Sequence, residues 1–179
     1  MLGRPNVYLI GPMGSGKTAV GRRLAALLGK RFFDSDAEIE ARTGVDVRFI
    51  FEKEGEARFR QRERDVIADL TTLDGVVVAT GGGAILDAAN RERLANTGVV
   101  VYLETNIDTL VRRTKSTKTR PLLLNDDPHA VLERLMVVRR PLYEDTADLR
   151  IETTGRQVRA VAADIQQQLV ERVAKPSSA

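Results

Sequence analysis

The chain has 179 residues, 42% hydrophobic and 30% charged, the balance of one soluble globular domain with a single core. It has no cysteine, which excludes disulfides and thiol chemistry, and no apolar run near the ~20 residues that span a bilayer. The 28 basic residues against 25 acidic ones leave a formal charge of +3, and their even spread favours a local anion site over a nucleic-acid-binding stripe despite a pI near 9.4.

In chain order, Val7-Tyr8-Leu9-Ile10 predicts a buried first strand and is too short for the apolar core of a signal peptide, so a cytoplasmic protein is expected. Gly11-Pro12-Met13-Gly14-Ser15-Gly16-Lys17-Thr18 follows and fits G-x-x-x-x-G-K-[ST] at every fixed position. Val20, Leu24, Leu27 and Leu28 then recur at helical spacing, and Gly29 is placed to end that helix. A glycine turn that matched the pattern by chance would not need a strand before it and a helix after it. Strand, glycine-rich turn and helix together aim backbone N–H groups and a helix N-terminus at one point, which suits a polyphosphate. Lys17 can reach the β- and γ-phosphates, and the Thr18 hydroxyl can ligate Mg²⁺.

Arg31-Phe32-Phe33 predicts a short strand ending at Asp34-Ser35-Asp36. Helices are expected over about 37–42, closed by Gly44, over about 47–52, and over a long polar stretch of about 54–73 with Phe59, Val66, Ile67 and Leu70 apolar. Val76-Val77-Val78-Ala79-Thr80 is a continuous apolar run of the buried parallel kind and leads into Gly81-Gly82-Gly83. A helix near 87–95, a buried strand at 99–103 and a helix capped by Asn106 or Asp108 and reaching Arg113 come next. Residues 114–127 turn basic, then apolar after Pro121, then acidic, and read as a mobile excursion. A helix over about 130–139, stopped by Pro141, precedes an edge strand at 149–152. The final helix carries Val158, Val161, Ala162, Ile165 and Leu169 on one face, and residues 176–179 are expected to be disordered. Alternation of this kind gives an α/β fold, a parallel sheet with helices on both faces.

Ligands of such sheets bind at the carboxyl ends of the strands, where the phosphate loop, Asp34-Ser35-Asp36 and Thr80 with its three glycines should face one cleft. Two carboxylates beside bound phosphates can divide the work of holding a metal's water shell and orienting an acceptor hydroxyl; alternatively, Asp34 or Asp36 merely caps the next helix. The glycines either form a turn or let a substrate approach bare backbone N–H groups. Arg58, Arg60, Arg62 and Arg64 lie mostly on solvated helix faces, with one beside Phe59 able to turn inward on Glu63. With Arg139 or Arg140 it would make a bidentate carboxylate site, and Arg120 in the excursion could close over a nucleotide.

Taken in order, the phosphate loop, Phe33-Asp34-Ser35-Asp36, Phe59-Arg60-Gln61-Arg62-Glu63, Gly81-Gly82-Gly83, Arg120-Pro121-Leu122-Leu123 and Arg139-Arg140-Pro141-Leu142-Tyr143 resemble shikimate kinase of the bacterial type, from Asn6 to about Leu169. The resemblance implies a three-layer P-loop kinase fold over residues 1–179: a five-stranded parallel sheet flanked by helices, a lid at about 114–127 and a substrate-binding helical region at about 35–63. It implies ATP and Mg²⁺ as cofactors and shikimate as the small-molecule partner, phosphorylated at its 3-hydroxyl to shikimate 3-phosphate on the route to chorismate and the aromatic amino acids. Gly14, Ser15, Gly16, Lys17 and Thr18 would hold the ATP phosphates, Arg120 would press on them from the lid, and Arg113 and Arg156 would flank the adenine. Thr18 would bind Mg²⁺ and Asp34 would act through its water shell. Asp36 would bind the acceptor hydroxyls, Arg60 and Arg139 its carboxylate, Gly82 with Gly81 and Gly83 its backbone-facing edge, and Phe51 and Phe59 its ring. Lys17, Asp34, Asp36 and Arg120 would be catalytic. A monomer is expected, with no nucleic-acid or membrane partner. The rival readings are a gluconate-type or nucleoside monophosphate kinase, which leaves Arg60 and Arg139 unexplained, and a non-catalytic nucleotide-binding module; no Asn-Lys-x-Asp guanine signature is present.

Overall fold

The computed structural model describes residues 5–114 and 127–174. Its sheet has the strand order β2-β3-β1-β4-β5, all neighbours parallel, from β1 (Asn6–Ile10), β2 (Arg31–Asp34), β3 (Val76–Ala79), β4 (Gly98–Glu104) and β5 (Leu149–Glu152). β1 lies in the middle, and every residue of β1 and β3 is buried, as parallel strands covered on both faces require. β5 is an edge, as its alternating sequence predicts.

Side-chain alternation divides the core into two layers. Val7, Leu9, Val77, Val101 and Leu103 point to one face, where they meet Val20 and Leu24 of α1 (Lys17–Leu28) and Val161, Ile165 and Leu169 of α8 (Val158–Ala174). Tyr8, Ile10, Val76, Val78, Val100 and Tyr102 point to the other. They are covered there by α2 (Ser35–Thr43), α3 (Val47–Glu54), α4 (Glu56–Leu70), α5 (Ala88–Thr97) and α7 (Pro128–Thr146). α6 (Ile107–Thr114) packs against α7.

Element boundaries differ from the sequence reading where tertiary contacts decide them. The long polar stretch is not one helix from 54. α3 runs on to Glu54, Gly55 takes φ 84, and α4 starts afresh at Glu56. α4 ends at Leu70 rather than 73, and the Thr71 hydroxyl turns back on the carbonyls of Ile67 and Ala68. The Asn106 carboxamide, not Asp108, accepts from the Thr109 N–H at the start of α6. Pro141 does not stop α7, which continues to Thr146. A proline inside a helix costs about 3 kcal/mol through its missing donor and its clash with the preceding turn. Continuing the helix buries Tyr143 to 1% exposure, and that packing outweighs the local preference. The expected lid, with Lys115, Lys118 and Arg120, lies outside the described residues except at its margins, as does the expected disordered tail.

Candidate active site

The phosphate loop leaves β1 and enters α1 with Gly11, Gly14 and Gly16 at φ 145, 82 and 92, angles that side chains rarely adopt. Any Cβ at Gly11 would stand 2.8 Å from the Leu103 carbonyl oxygen of β4, so the loop also needs glycine for space. Lys17 is buried, and its ammonium donates to the carbonyls of Gly11 at 2.7 Å and Pro12 at 2.9 Å and to Ser15 Oγ at 3.5 Å. One cation thus ties two of the loop's carbonyls together, and the Ser15 N–H closes the turn on the Pro12 carbonyl at 3.2 Å. The exposed Arg113 at the end of α6 donates to the Gly14 carbonyl at 3.1 Å, beside the loop.

Asp34 ends β2 and does two things at once. Its Oδ1 accepts the Asp36 and Ala37 N–H groups and so caps α2, the alternative role open to it from the sequence. Its Oδ2 accepts the Thr18 hydroxyl at 2.6 Å. The hydroxyl and the carboxylate make a small oxygen-donor pair at the mouth of the loop. Such a pair fits Mg²⁺, which takes one or two protein oxygens and completes its shell with water and phosphate. No group of three or more acidic, histidine or cysteine side chains that could hold a metal occurs among the described residues.

Asp36, in the first turn of α2, is not the cap. Its Oδ1 is buried without a hydrogen-bond partner. Burial first, and the Glu63 and Asp34 carboxylates next, push its pKa from 3.8 up to about 7, with Lys17 pulling the other way. Glu63 of α4 is 1% exposed, and burial raises its pKa against the pull of Arg60 and Arg139. Arg60 lies between carboxylates: it donates to Glu63 at 2.8 Å and to Glu56 at 3.2 Å, and its guanidinium stands over the Phe59 ring at 5.2 Å. Phe59 and Phe51 meet with centroids 4.6 Å apart. Of the two adjacent arginines on α7, Arg139 is 4% exposed and faces inward, while Arg140 is exposed.

These groups line one cavity of about 520 Å³ at the carboxyl ends of the strands. Of the expected site residues, Gly14, Gly16, Lys17, Thr18, Asp34, Asp36, Phe51, Phe59, Arg60, Gly81, Gly82, Gly83, Arg113 and Arg139 all line it. Ser15 does not; it is buried within the loop. Arg156 does not either, its guanidinium being held by Asp164 at 3.0 Å and by the Glu152 carbonyl. Arg120 lies outside the described residues.

The three glycines of the turn serve three different neighbours. The Gly81 N–H is already taken by Ser35 Oγ at 2.9 Å, and a Cβ there would strike Glu63 Oε1 and Asp36 Oδ1. Gly83 has the Arg60 guanidinium laid where a side chain would go. Gly82 packs against the Met13 nitrogen of the loop, and its N–H has no hydrogen bond among the described residues. The sequence reading names no site role for Ser35, Glu40 or Tyr143. Glu40 accepts the Val47 N–H at 2.9 Å, tying α2 to the start of α3 at the cavity wall. Ser35 stands between the two aspartates, but nothing in its spacing points to a glycine 46 residues away.

The cavity thus has the glycine-rich loop at one end and, at the other, the buried Arg139 and the half-buried Arg60 beside an unpartnered carboxylate. It can hold an acceptor that carries a carboxylate and a hydroxyl against a polyphosphate. Comparison with known proteins agrees. A family model described as shikimate kinase matches residues 13–170. A shikimate kinase of Halorhodospira halophila is 56% identical over 159 residues, 89% of this chain and 90% of that protein. One of Pseudoalteromonas atlantica is 51% identical over 173 residues, 97% and 99% of the two chains. The structure of an Acinetobacter baumannii shikimate kinase in complex with shikimate superposes with a TM-score of 0.93 at 49% identity, covering 96% of each chain.

Proposed function

The chain belongs to the shikimate kinase family, and from that premise we propose a role for each group in the cavity. The protein is an ATP-dependent kinase that phosphorylates shikimate and works with Mg²⁺. We assign the transfer to the 3-hydroxyl, giving shikimate 3-phosphate and ADP.

Arg60 and Arg139 bind the shikimate carboxylate, which offers two oxygens to two guanidinium groups, one half-buried and one buried. The Gly82 N–H donates to a ring hydroxyl, and Phe51 and Phe59 close on the ring. Asp36 accepts a hydrogen bond from the hydroxyl that attacks; a carboxylate poised near neutrality orients it and can take its proton. The loop N–H groups from Gly14 to Thr18 cradle the β- and γ-phosphates, and Lys17 leaves the loop carbonyls to reach them. Thr18 and Asp34 would hold Mg²⁺, which would supply charge neutralisation on the transferred group. Arg113, and from the lid Arg120, stand on the nucleotide side. We leave Arg156 as an adenine-side residue that must exchange its Asp164 partner to take part.

One observation carries the reading: the phosphate loop, Arg60, the buried Arg139 and Asp36 open on a single cavity. We further read residues 1–179 as one domain, with its lid near 114–127 and its substrate-binding helices near 35–63, acting as a cytoplasmic monomer. No helix of the described residues is long and apolar enough to cross a membrane. ADP release from Mg·ATP tests the function, with shikimate compared against quinate, gluconate and AMP. Rapid release with shikimate alone is expected. Equal release with gluconate or AMP would overturn the assignment of Arg60, Arg139 and Gly82.

A further inference from the structure

The Tyr143 hydroxyl stands where the two halves of the acceptor end meet. Tyr143 follows Arg139 by four residues on α7, so the two side chains leave the same helix face, and they are 1% and 4% exposed. The tyrosine ring is fixed by stacking on Tyr102 of β4, centroids 5.1 Å apart. Its hydroxyl donates to the Gly82 carbonyl and lies beside the Arg139 guanidinium, whose charge pulls the hydroxyl's pKa down against burial. A phenol has one proton to give and lone pairs to receive, so the bond to Gly82 leaves the hydroxyl oxygen able to accept from the guanidinium beside it. Burial raises the hydroxyl's pKa far above its ordinary value, which keeps it a donor. Gly82 in turn leans on the phosphate loop, where a Cβ would come within 3.2 Å of the Met13 nitrogen. A line of contacts therefore runs from the carboxylate-binding arginine through Tyr143 and Gly82 to the loop that holds phosphate.

We propose that the Tyr143 hydroxyl is a positioning group for the acceptor, setting the Arg139 guanidinium and the Gly82 N–H at a fixed distance so that carboxylate and ring hydroxyl are gripped together. The proposal rests on the reading of Arg139 and Gly82 as shikimate ligands. A tyrosine that only filled the core would need its ring and not its hydroxyl.

Tyr143→Phe keeps the ring and the stack and removes only the link. Steady-state kinetics should show the KM for shikimate raised about tenfold with the KM for ATP unchanged. In an Arg139→Lys background the same change should add less than twofold, because the link has already lost one end. Tyr102→Phe, a stack partner with no bond to Gly82, should leave both KM values as they are. A shikimate KM within twofold of wild type in Tyr143→Phe would overturn the proposal. So would equal rises for both substrates, a full penalty in the Arg139→Lys background, or a matching rise in Tyr102→Phe. Wild-type protein that released no ADP with shikimate would instead sink the functional reading on which the proposal stands.

Discussion

At the scale of single residues, Asp36 carries the conflict between stability and function. Its pKa is raised from 3.8 to about 7, so between these values the folded protein holds a proton that the unfolded chain has lost. The stability this group contributes is complete below about 3.8 and is lost as pH rises through about 7. A carboxamide at this position would carry no charge into the buried site at any pH. Asp36→Asn should therefore melt higher than wild type at pH 8, by a few degrees for about 1 kcal/mol, and the gap should close as pH falls toward 4. The same variant should lose about 100-fold or more in turnover while still binding ATP, since the acceptor hydroxyl loses its anionic partner. Thermal melts across pH with single-turnover assays check both halves, and turnover near wild type would remove Asp36 from the mechanism. The neighbouring arginines give a sharper contrast. Arg139→Ala should weaken shikimate binding by about 3 kcal/mol and spare ATP binding, because in the proposed reading it removes the buried one of the carboxylate's two charged partners. Arg140→Ala, on the exposed side of α7, should change shikimate affinity less than twofold; calorimetric titration of both variants separates them.

At the scale of elements, the strands and the helix ends marked by Gly29 and Gly44 are legible in the sequence, and the ends decided by tertiary packing are not. Val76 to Ala79 and Val7 to Ile10 are buried on both faces, so their composition alone announces them. Pro141 shows the opposite case. Its local preference ends a helix, yet α7 runs through it because Tyr143 has a stacking partner and a hydrogen-bond partner that lie 41 and 61 residues away in sequence. The Gly81-Gly82-Gly83 turn stands out as a feature, but the division of labour among its three positions needs the neighbours from α2, α4 and the phosphate loop to be in place. Gly83 shows what that costs a mutation. A methyl at this position would occupy the space of the Arg60 guanidinium, and Arg60 would have to leave both Glu63 and its seat over Phe59. Gly83→Ala should raise the shikimate KM about tenfold or more with the ATP KM changed less than twofold, although position 83 has no bond to the substrate in this reading. Equal effects on both substrates would mean that the whole turn, and not Arg60 alone, had moved.

At the scale of the whole molecule, three of the six buried polar side-chain atoms that lack a hydrogen-bond partner among the described residues belong to the site. At the opposite end of the sheet, Asn6 bonds the Leu73 carbonyl, the Tyr8 hydroxyl and the Val76 N–H, and its carboxamide is fully used. Within the cavity wall, Asp36 Oδ1, Glu63 Oε1 and Arg60 Nε are buried with no hydrogen-bond partner. Buried polar atoms without partners each cost about 1–3 kcal/mol, so the two core layers on either side of the sheet must hold these atoms together against their own preference. In the proposed reading, shikimate brings a carboxylate and hydroxyls to that place. Binding only to the folded form stabilises by RT ln(1 + [L]/Kd), about 2.7 kcal/mol at a hundredfold excess over Kd. For a chain of this length that is a rise of about 5–10 °C in melting temperature. The rise should shrink to under about 2 °C in Arg139→Ala at the same shikimate concentration, while Mg·ADP, acting at the other end of the cavity, should stabilise both proteins alike. A shikimate shift that survived loss of Arg139 would mean that the carboxylate is held elsewhere. It would also detach the buried arginine from the function that its place in the sequence suggests.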